Sequence, residues 1–192
     1  RPELEAWCVE RGGKPFRARQ LFQWMYKRGE TDFDAMTDLA KDYRAQLKQE
    51  AEIRLPTVLT RQDAADGTVK WMLEADNMQG FEMVYIPDGD RATLCISSQV
   101  GCAMDCSFCS TAQQGFNRNL TAAEIVGQVF LAQREVGFQA GGDRLISNVV
   151  LMGMGEPLAN FRNVVPGMRI LLDDLGFDFS RRRLTLSTSG LV

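Results

Sequence analysis

Apolar positions in the first 50 residues recur with helical spacing. Proline at the start and glycine at the end bracket two predicted helices, over residues 2–12 and 15–29. A third helix is predicted over residues 38–49, where apolar residues recur every fourth position. This pattern predicts a small helical bundle, with Cys8 as one of its core residues.

The pattern changes to short apolar runs between residues 54 and 98. Asp66-Gly67 and Asp88-Gly89 each separate two such runs, which is a strong hairpin signal. We therefore expect four short strands arranged as an antiparallel meander.

From residue 93 onward the chain alternates strand-like and helix-like segments. The apolar runs TLCIS (93–97), NVVLM (148–152) and LTLST (184–188) read as strands, and NVVLM as one that is buried on both faces. Alternation of this kind predicts a parallel α/β sheet or barrel, of which the chain holds the opening strands.

Helix signals lie between those three strands. Thr121 and Glu124 form a capping box that begins a helix ending near Gly137. Asn160 is a candidate cap for the next helix, in which Pro166-Gly167 predicts a kink or break.

The 192 residues include five cysteines and no histidine, and the formal net charge is −3. Without histidine there is no Ser-His-Asp or Cys-His nucleophile and no Cys/His zinc finger. No apolar run reaches the roughly 18 residues that a transmembrane helix needs. Because three cysteines crowd together and the amino end lacks a signal layout, we expect a cytoplasmic protein.

Chemistry concentrates in the cysteine loop, GCAMDCSFCSTAQQGF (residues 101–116). Cys102, Cys106 and Cys109 stand as C-x3-C-x2-C after a predicted strand. Three thiolates can hold three irons of a cubane cluster and leave the fourth iron open to a substrate. A structural zinc site, with Cys95 as the fourth ligand, and a ferredoxin-type site are the alternatives, but both fit this spacing less well.

Two further segments follow predicted strands at the edge where α/β sites lie. The glycine loop, Gly153 to Pro157, places two glycines and Glu156 directly after NVVLM; a plain tight turn is its alternative interpretation. Ser187 is the polar residue near the end of LTLST, where a helix cap is the alternative.

Two basic clusters carry alternative interpretations. Arg17, Arg19, Lys27 and Arg28 fall on the second predicted helix, where a solvated bundle face is favoured over a nucleic-acid contact. The run Arg181–Arg183 is by default a solvated charge run, with phosphate contact as the sharper hypothesis.

The strings RATLCISSQVGCAMDCSFCSTAQQGFNRNL, NVVLMGMGEPLAN and RRRLTLSTSG resemble the RlmN family within the radical S-adenosylmethionine (SAM) superfamily. That family methylates adenine C2 in 23S rRNA and in tRNA. The resemblance implies a helical RNA-contacting domain (1–53), a linking β-meander (54–92) and a radical SAM core (93–192). The core would be a partial (β/α) barrel, incomplete at its carboxyl end.

The resemblance also implies roles for individual residues. Cys102, Cys106 and Cys109 would ligate a 4Fe-4S cluster, which cleaves SAM to a 5′-deoxyadenosyl radical. Gly155, Glu156 and Ser187 would contact SAM.

Two more residues match family positions that act on the methylated intermediate. Cys95 matches the cysteine that resolves a protein–RNA crosslink through a transient disulfide, and Glu82 matches the proposed general base. No cysteine here matches the methyl-carrying one, so the chain is expected to be a fragment that cannot complete a turnover.

Partners and competing functions follow from the same resemblance. We expect 23S rRNA and tRNA as substrates, an electron donor such as flavodoxin, no membrane and a monomeric state. The alternatives are a Cfr-like enzyme that methylates adenine C8, a non-catalytic iron–sulfur module, and an RNA-binding remnant.

Overall fold

The structure, a computed structural model, describes residues 1–75, 79–137, 142 and 145–191. Its helical region comprises α1 (Pro2–Glu10), α2 (Phe16–Phe22) continuing as a π-helical turn (Gln23–Lys27), a 3-10 turn (Phe33–Ala35) and α3 (Lys41–Glu50). Cys8 is fully buried in the core of this bundle, as predicted. The third helix begins three residues later than its pattern predicted, because Leu39 packs in the core from the preceding turn.

Six strands form the main sheet, in the order β1-β2-β3-β4-β7-β8. Their bounds are β1 (Val58–Asp63), β2 (Val69–Glu74), β3 (Gly80–Asp88), β4 (Arg91–Cys95), β7 (Asn148–Leu151) and β8 (Leu184–Leu186). β1 to β4 form the predicted antiparallel meander, and Gly67 and Gly89 adopt the positive φ angles that their turns need. β4 then pairs in parallel with β7, and β7 with β8.

This arrangement brings the carboxyl ends of β4, β7 and β8 to one edge of the sheet. A second, two-stranded sheet lies beyond β4, formed by β5 (Gln99–Gly101) and β6 (Phe116–Asn119). The cysteine loop joins these two strands and contains the short helix α4 (Ser110–Gln113). The loop is therefore held at the edge where the three parallel strands end.

Two helices, α5 (Ala122–Glu135) and α6 (Phe161–Leu172), complete the core. Trp71, Phe81 and Leu94 point from alternate positions of three strands into the same buried cluster as Ile125 and Val129 of α5. Across the described residues the sheet stays open and forms no closed barrel. The predicted α/β class with a partly parallel sheet is confirmed.

Three local features differ in how far they follow the sequence pattern. The capping box of Thr121 and Glu124 is confirmed. β7 is not buried on both faces, since Val149 and Leu151 are buried but Val150 is only half-buried. Of the kink or break predicted at Pro166-Gly167, the break is wrong: α6 runs through both residues, and Gly167 allows close packing against Ile125 of α5.

Aromatic packing joins the helical region to the core. The Tyr26 ring lies 5.3 Å from Phe177 and 6.4 Å from Phe130, measured between centroids, and burial raises the pKa of the Tyr26 hydroxyl. Arg1 pairs with Asp173 at 3.1 Å. Among the residues described, no helix has the length and apolar character to cross a bilayer.

Candidate functional site

The base of the cysteine loop is closed by backbone contacts. The Cys102 amide donates to the Gly115 carbonyl at 3.1 Å. Gly101 has a φ of 71°, and a methyl group there would lie 1.8 Å from the Gly115 oxygen. Glycine at position 101 is therefore required for the two ends of the loop to meet.

The three cysteines of this loop are each half-buried. Cys102 accepts a hydrogen bond from the Met104 amide at 3.4 Å, and the Cys109 amide donates to the Cys106 carbonyl at 3.0 Å. The Ala112 amide lowers the pKa of the Cys109 thiol, against a smaller opposing effect of burial. The neighbouring Phe108 is 91% exposed.

Three thiols on one loop are a suitable donor set for iron. However, the structure gathers no group of three or more cysteine or carboxylate side chains around a common metal position within the described residues. The donor chemistry therefore fits a cluster, whereas the side chains still have to converge on it.

The glycine loop, in contrast, packs tightly on the segment that follows β4. A methyl group on Gly153 would lie 2.7 Å from the Ser97 Oγ, and one on Gly155 would lie 2.5 Å from the Gln99 Cβ. Gly155 also has a φ of 96°. Both glycines are thus required by contacts within the protein, in addition to any approach of a ligand.

Glu156 is the most strongly held residue of this edge, and only 4% of it is exposed. Its Oε1 accepts from the Leu158 amide at 2.9 Å, and its Oε2 accepts from the Ser189 amide and hydroxyl at 2.8 and 3.0 Å. Burial would raise its pKa, but hydrogen bonds, the first from the Ser189 amide, hold the pKa below the ordinary glutamate value. Glu156 is therefore a carboxylate at neutral pH.

Ser187 follows β8 at the same edge. Its side chain is exposed, and its amide donates to the Leu151 carbonyl at 3.4 Å. Ser187 and Glu156 thus lie on adjacent loops, after β8 and β7, that are tied together through Ser189.

Glu82 and Cys95 share the face of the sheet that points away from α5 and α6. Cys95 is directly opposite Val84, two residues from Glu82 on β3. Lys70 pairs with the Glu82 carboxylate at 3.1 Å, and burial raises the pKa of the Cys95 thiol. Cys95 is therefore protonated at neutral pH, on a face shared with a carboxylate.

The Ser97 side chain connects that face to the glycine loop. Its hydroxyl donates to the Glu82 carbonyl at 2.6 Å and accepts from the Met154 amide at 2.8 Å. The backbone of Ser97 pairs in both directions with the buried amide of Gln128 on α5, at 2.8 and 2.9 Å.

Sequence reasoning missed this buried polar group, and it misjudged Asn160. Asn160 stands at the start of α6 without capping it. Its amide donates at 2.7 Å to the carbonyls of Ser98 and Leu120 and so fixes the base of the cysteine loop. The available signal was the run of polar residues, Ser97 to Gln99, immediately after an apolar strand. The structure buries all three of them.

The four cations of the second helix lie in different environments. Arg28 stacks on Trp24 at 4.0 Å and Arg17 on Phe16 at 4.9 Å, while Lys27 donates to the carbonyl of the exposed Asp174, after α6, at 3.1 Å. Arg19 is exposed. The surface therefore carries arginine–aromatic pairs in addition to isolated charges.

The run Arg181–Arg183 forms a 3-10 turn that leads into β8. Arg181 and Arg182 are exposed, and Arg183 donates to the Asn148 side chain at 3.2 Å.

Two comparisons with known proteins bear on this site. Residues 1–53 match a family model described as the ribosomal RNA large subunit methyltransferase N-terminal domain. A solved structure of a radical SAM methyltransferase from Sphaerobacter thermophilus is similar over 99% of this chain, with 41% identity and a TM-score of 0.87. The chain spans 55% of the length of that protein.

Proposed function

Because this chain belongs to the RlmN-type radical SAM methyltransferases, we propose that it serves methyl transfer to C2 of an adenosine in 23S rRNA and tRNA. One observation carries the proposal. The cysteine loop and a buried, ionised Glu156 lie at the carboxyl ends of parallel strands, on a core that resembles a radical SAM methyltransferase.

Cys102, Cys106 and Cys109 would hold a 4Fe-4S cluster, with one iron left for SAM. When bound, the cluster supplies the electron that cleaves SAM. A hydrogen bond from the Ala112 amide lowers the pKa of the Cys109 thiol, which favours the thiolate form that binds iron. Iron binding would draw the three cysteines together from their open arrangement.

The residues after β7 and β8 would orient SAM. The Glu156 carboxylate accepts hydrogen bonds from the Leu158 amide and from the amide and hydroxyl of Ser189, and a hydrogen bond from the Thr188 hydroxyl also lowers its pKa. Its negative charge suits the ammonium group of SAM. Ser187 offers an exposed hydroxyl on the adjacent loop. Gly155, which has no side chain, allows the glycine loop to pack directly against Gln99.

Glu82 and Cys95 would act on the methylated intermediate. Their shared face gives a base and a thiol access to the same substrate atoms. Lys70 holds the Glu82 side chain toward β2, and burial keeps Cys95 protonated until a base removes its proton. This arrangement supports the general-base and resolving roles that we propose for these two residues.

RNA would contact the helical region and the turn before β8. Arginine–aromatic pairs such as Arg28 and Trp24 stack on unpaired bases, and exposed arginines such as Arg181 and Arg182 bind phosphates.

We propose a cytoplasmic enzyme that receives electrons from a flavodoxin-type donor.

Anaerobic reconstitution with iron and sulfide tests the cofactor assignment. The chain should gain a reduced-cluster EPR spectrum that changes when SAM is added. Cys106→Ala should lose the cluster, while Cys95→Ala should keep it. An EPR spectrum that does not respond to SAM would overturn the radical SAM assignment, and loss of iron in Cys95→Ala would favour a four-cysteine metal site.

Position-specific deuterium tests the target atom. The full-length gene product should release label from adenine C2 of 23S rRNA and tRNA fragments. Release from C8 would replace this proposal with the Cfr-type reaction, and binding of RNA without SAM cleavage would leave only an RNA-binding role.

A further inference from the structure

We propose that Gln99 is a positioning residue which, together with Ser189, fixes Glu156 against the base of the cysteine loop. The inference rests on the proposed function in that Glu156 is taken to receive the ammonium group of SAM. These contacts would set the distance between the glycine loop and the cysteine loop.

Gln99 bridges three segments with a single side chain. It is 1% exposed and lies in β5, three residues before Cys102. Its Oε1 accepts from the Glu156 amide at 2.8 Å, and its Nε2 donates to the Asn119 side chain at 2.8 Å on β6. The glycine loop and both strands that carry the cysteine loop therefore meet at this amide.

Ser189 supplies the second restraint. Its amide and hydroxyl both donate to the Glu156 Oε2, from the loop that follows β8. Glu156 is thus held through its backbone by Gln99 and through its carboxylate by Ser189. Together these contacts connect the loops after β4, β7 and β8 at one residue.

Other contacts anchor the glycine loop one step earlier. The Met154 carbonyl accepts from the amides of Ser98 and Gln99 at 2.8 and 3.2 Å, and the Met154 amide donates to Ser97. Removing the Gln99 side-chain amide should therefore leave the loop attached at Met154 and release Glu156 alone. This local effect separates a positioning role from a general contribution to folding.

The opposite end of the sheet provides a matched control. Asn148, at the start of β7, donates to Thr93 of β4 and accepts from Arg183 before β8, at 3.4 and 3.2 Å. Like Gln99, it is an amide side chain that bridges three segments, in this case β7, β4 and the turn before β8. It lies away from both cofactor-binding loops.

Hydrogen exchange of the metal-free chain, resolved by residue with NMR, tests the contact itself. In Gln99→Met, which keeps the length of the side chain, the Glu156 amide should exchange about fivefold to tenfold faster, as expected for one lost buried hydrogen bond. The Met154 amide should keep its protection. Asn148→Leu should leave both amides unchanged.

SAM binding to the reconstituted protein tests the consequence. Gln99→Met and Ser189→Ala should keep the wild-type iron content and weaken the SAM Kd about tenfold, while Asn148→Leu binds as wild type does. Unchanged exchange of the Glu156 amide, or equal SAM affinities in Gln99→Met and Asn148→Leu, would overturn the positioning role alone. If wild type holds its cluster but does not bind SAM, both the proposed function and the ligand assigned to Glu156 fail.

Discussion

The cysteine loop and the glycine loop lie at the same edge of one sheet, yet they are built differently. In the glycine loop, Gly153 and Gly155 are packed against the segment after β4, and Glu156 has protein donors on both carboxylate oxygens. In the cysteine loop, Gly101 closes the base, but Phe108 at the tip is almost fully exposed.

The difference indicates which part of the site the protein forms alone. The glycine loop is held by the protein itself, because the amide and carbonyl of Met154 and the amide and carboxylate of Glu156 all have protein partners. The three cysteines, in contrast, do not converge on one position, so their arrangement depends on the metal. Under the proposed function, a preformed half that would bind SAM is thus combined with a half that iron would complete.

The largest expected effect comes from adding a methyl group to the glycine loop, where there is no room for one. Gly155→Ala should lower the free energy of unfolding by about 2–5 kcal/mol, because the new methyl group collides with Gln99 and the positive φ is strained. Urea denaturation of the metal-free chain measures this.

Gly115→Ala, in the cysteine loop, is the matched control. Gly115 also has a positive φ, but open space surrounds its Cβ direction, so the cost should be only about 1–2 kcal/mol. Equal costs for the two variants would contradict the claim that the glycine loop is the tightly packed one.

A smaller effect follows from the charge on Glu156. Its folded-state pKa is lowered, so its contribution to stability is fully present above the unfolded-state pKa of about 4.3 and is lost as pH falls through the folded-state value. Glu156→Gln should lower the free energy of unfolding at pH 7 by about 1–3 kcal/mol, because charge-assisted hydrogen bonds weaken.

The difference between wild type and Glu156→Gln should narrow in acid. Glu135→Gln, which replaces an exposed carboxylate of α5, should cost about 0–1 kcal/mol, as the loss of a surface ion pair does. If the gap between wild type and Glu156→Gln is the same at pH 3.5 and pH 7, within about 0.3 kcal/mol, the carboxylate is not held as a charged group.

The parts of the fold with local signals were predictable from the sequence. The Asp-Gly turns specify the meander because turn chemistry and strand alternation act over a few residues, and the capping box specifies the start of α5 in the same way. The parallel strands were predictable because their apolar runs are separated by segments with helical patterns.

The contacts that join the loops were not predictable, since they connect residues far apart in sequence. Gln99 and Glu156 are 57 positions apart, and neither position has a periodic pattern that indicates the bond between them. Asn160 was expected to cap its helix because that is the usual local role of asparagine. Burial against β5 and β6 gave its amide two distant carbonyl partners instead.

The smallest expected effect lies in the cysteine loop itself. Cys106→Ala should change the free energy of unfolding of the metal-free chain by less than about 0.5 kcal/mol, because Cys106 is only half-buried and lies outside both hydrophobic clusters of the described residues. The same substitution at Cys8, which is fully buried and accepts a hydrogen bond from the Tyr43 hydroxyl, should lower the free energy of unfolding by about 1–2 kcal/mol. After reconstitution the order should reverse for iron content: Cys106→Ala loses the cluster and Cys8→Ala retains it. A large cost for Cys106→Ala without metal would mean that the cysteine loop is preformed like the glycine loop, and the contrast between them would disappear.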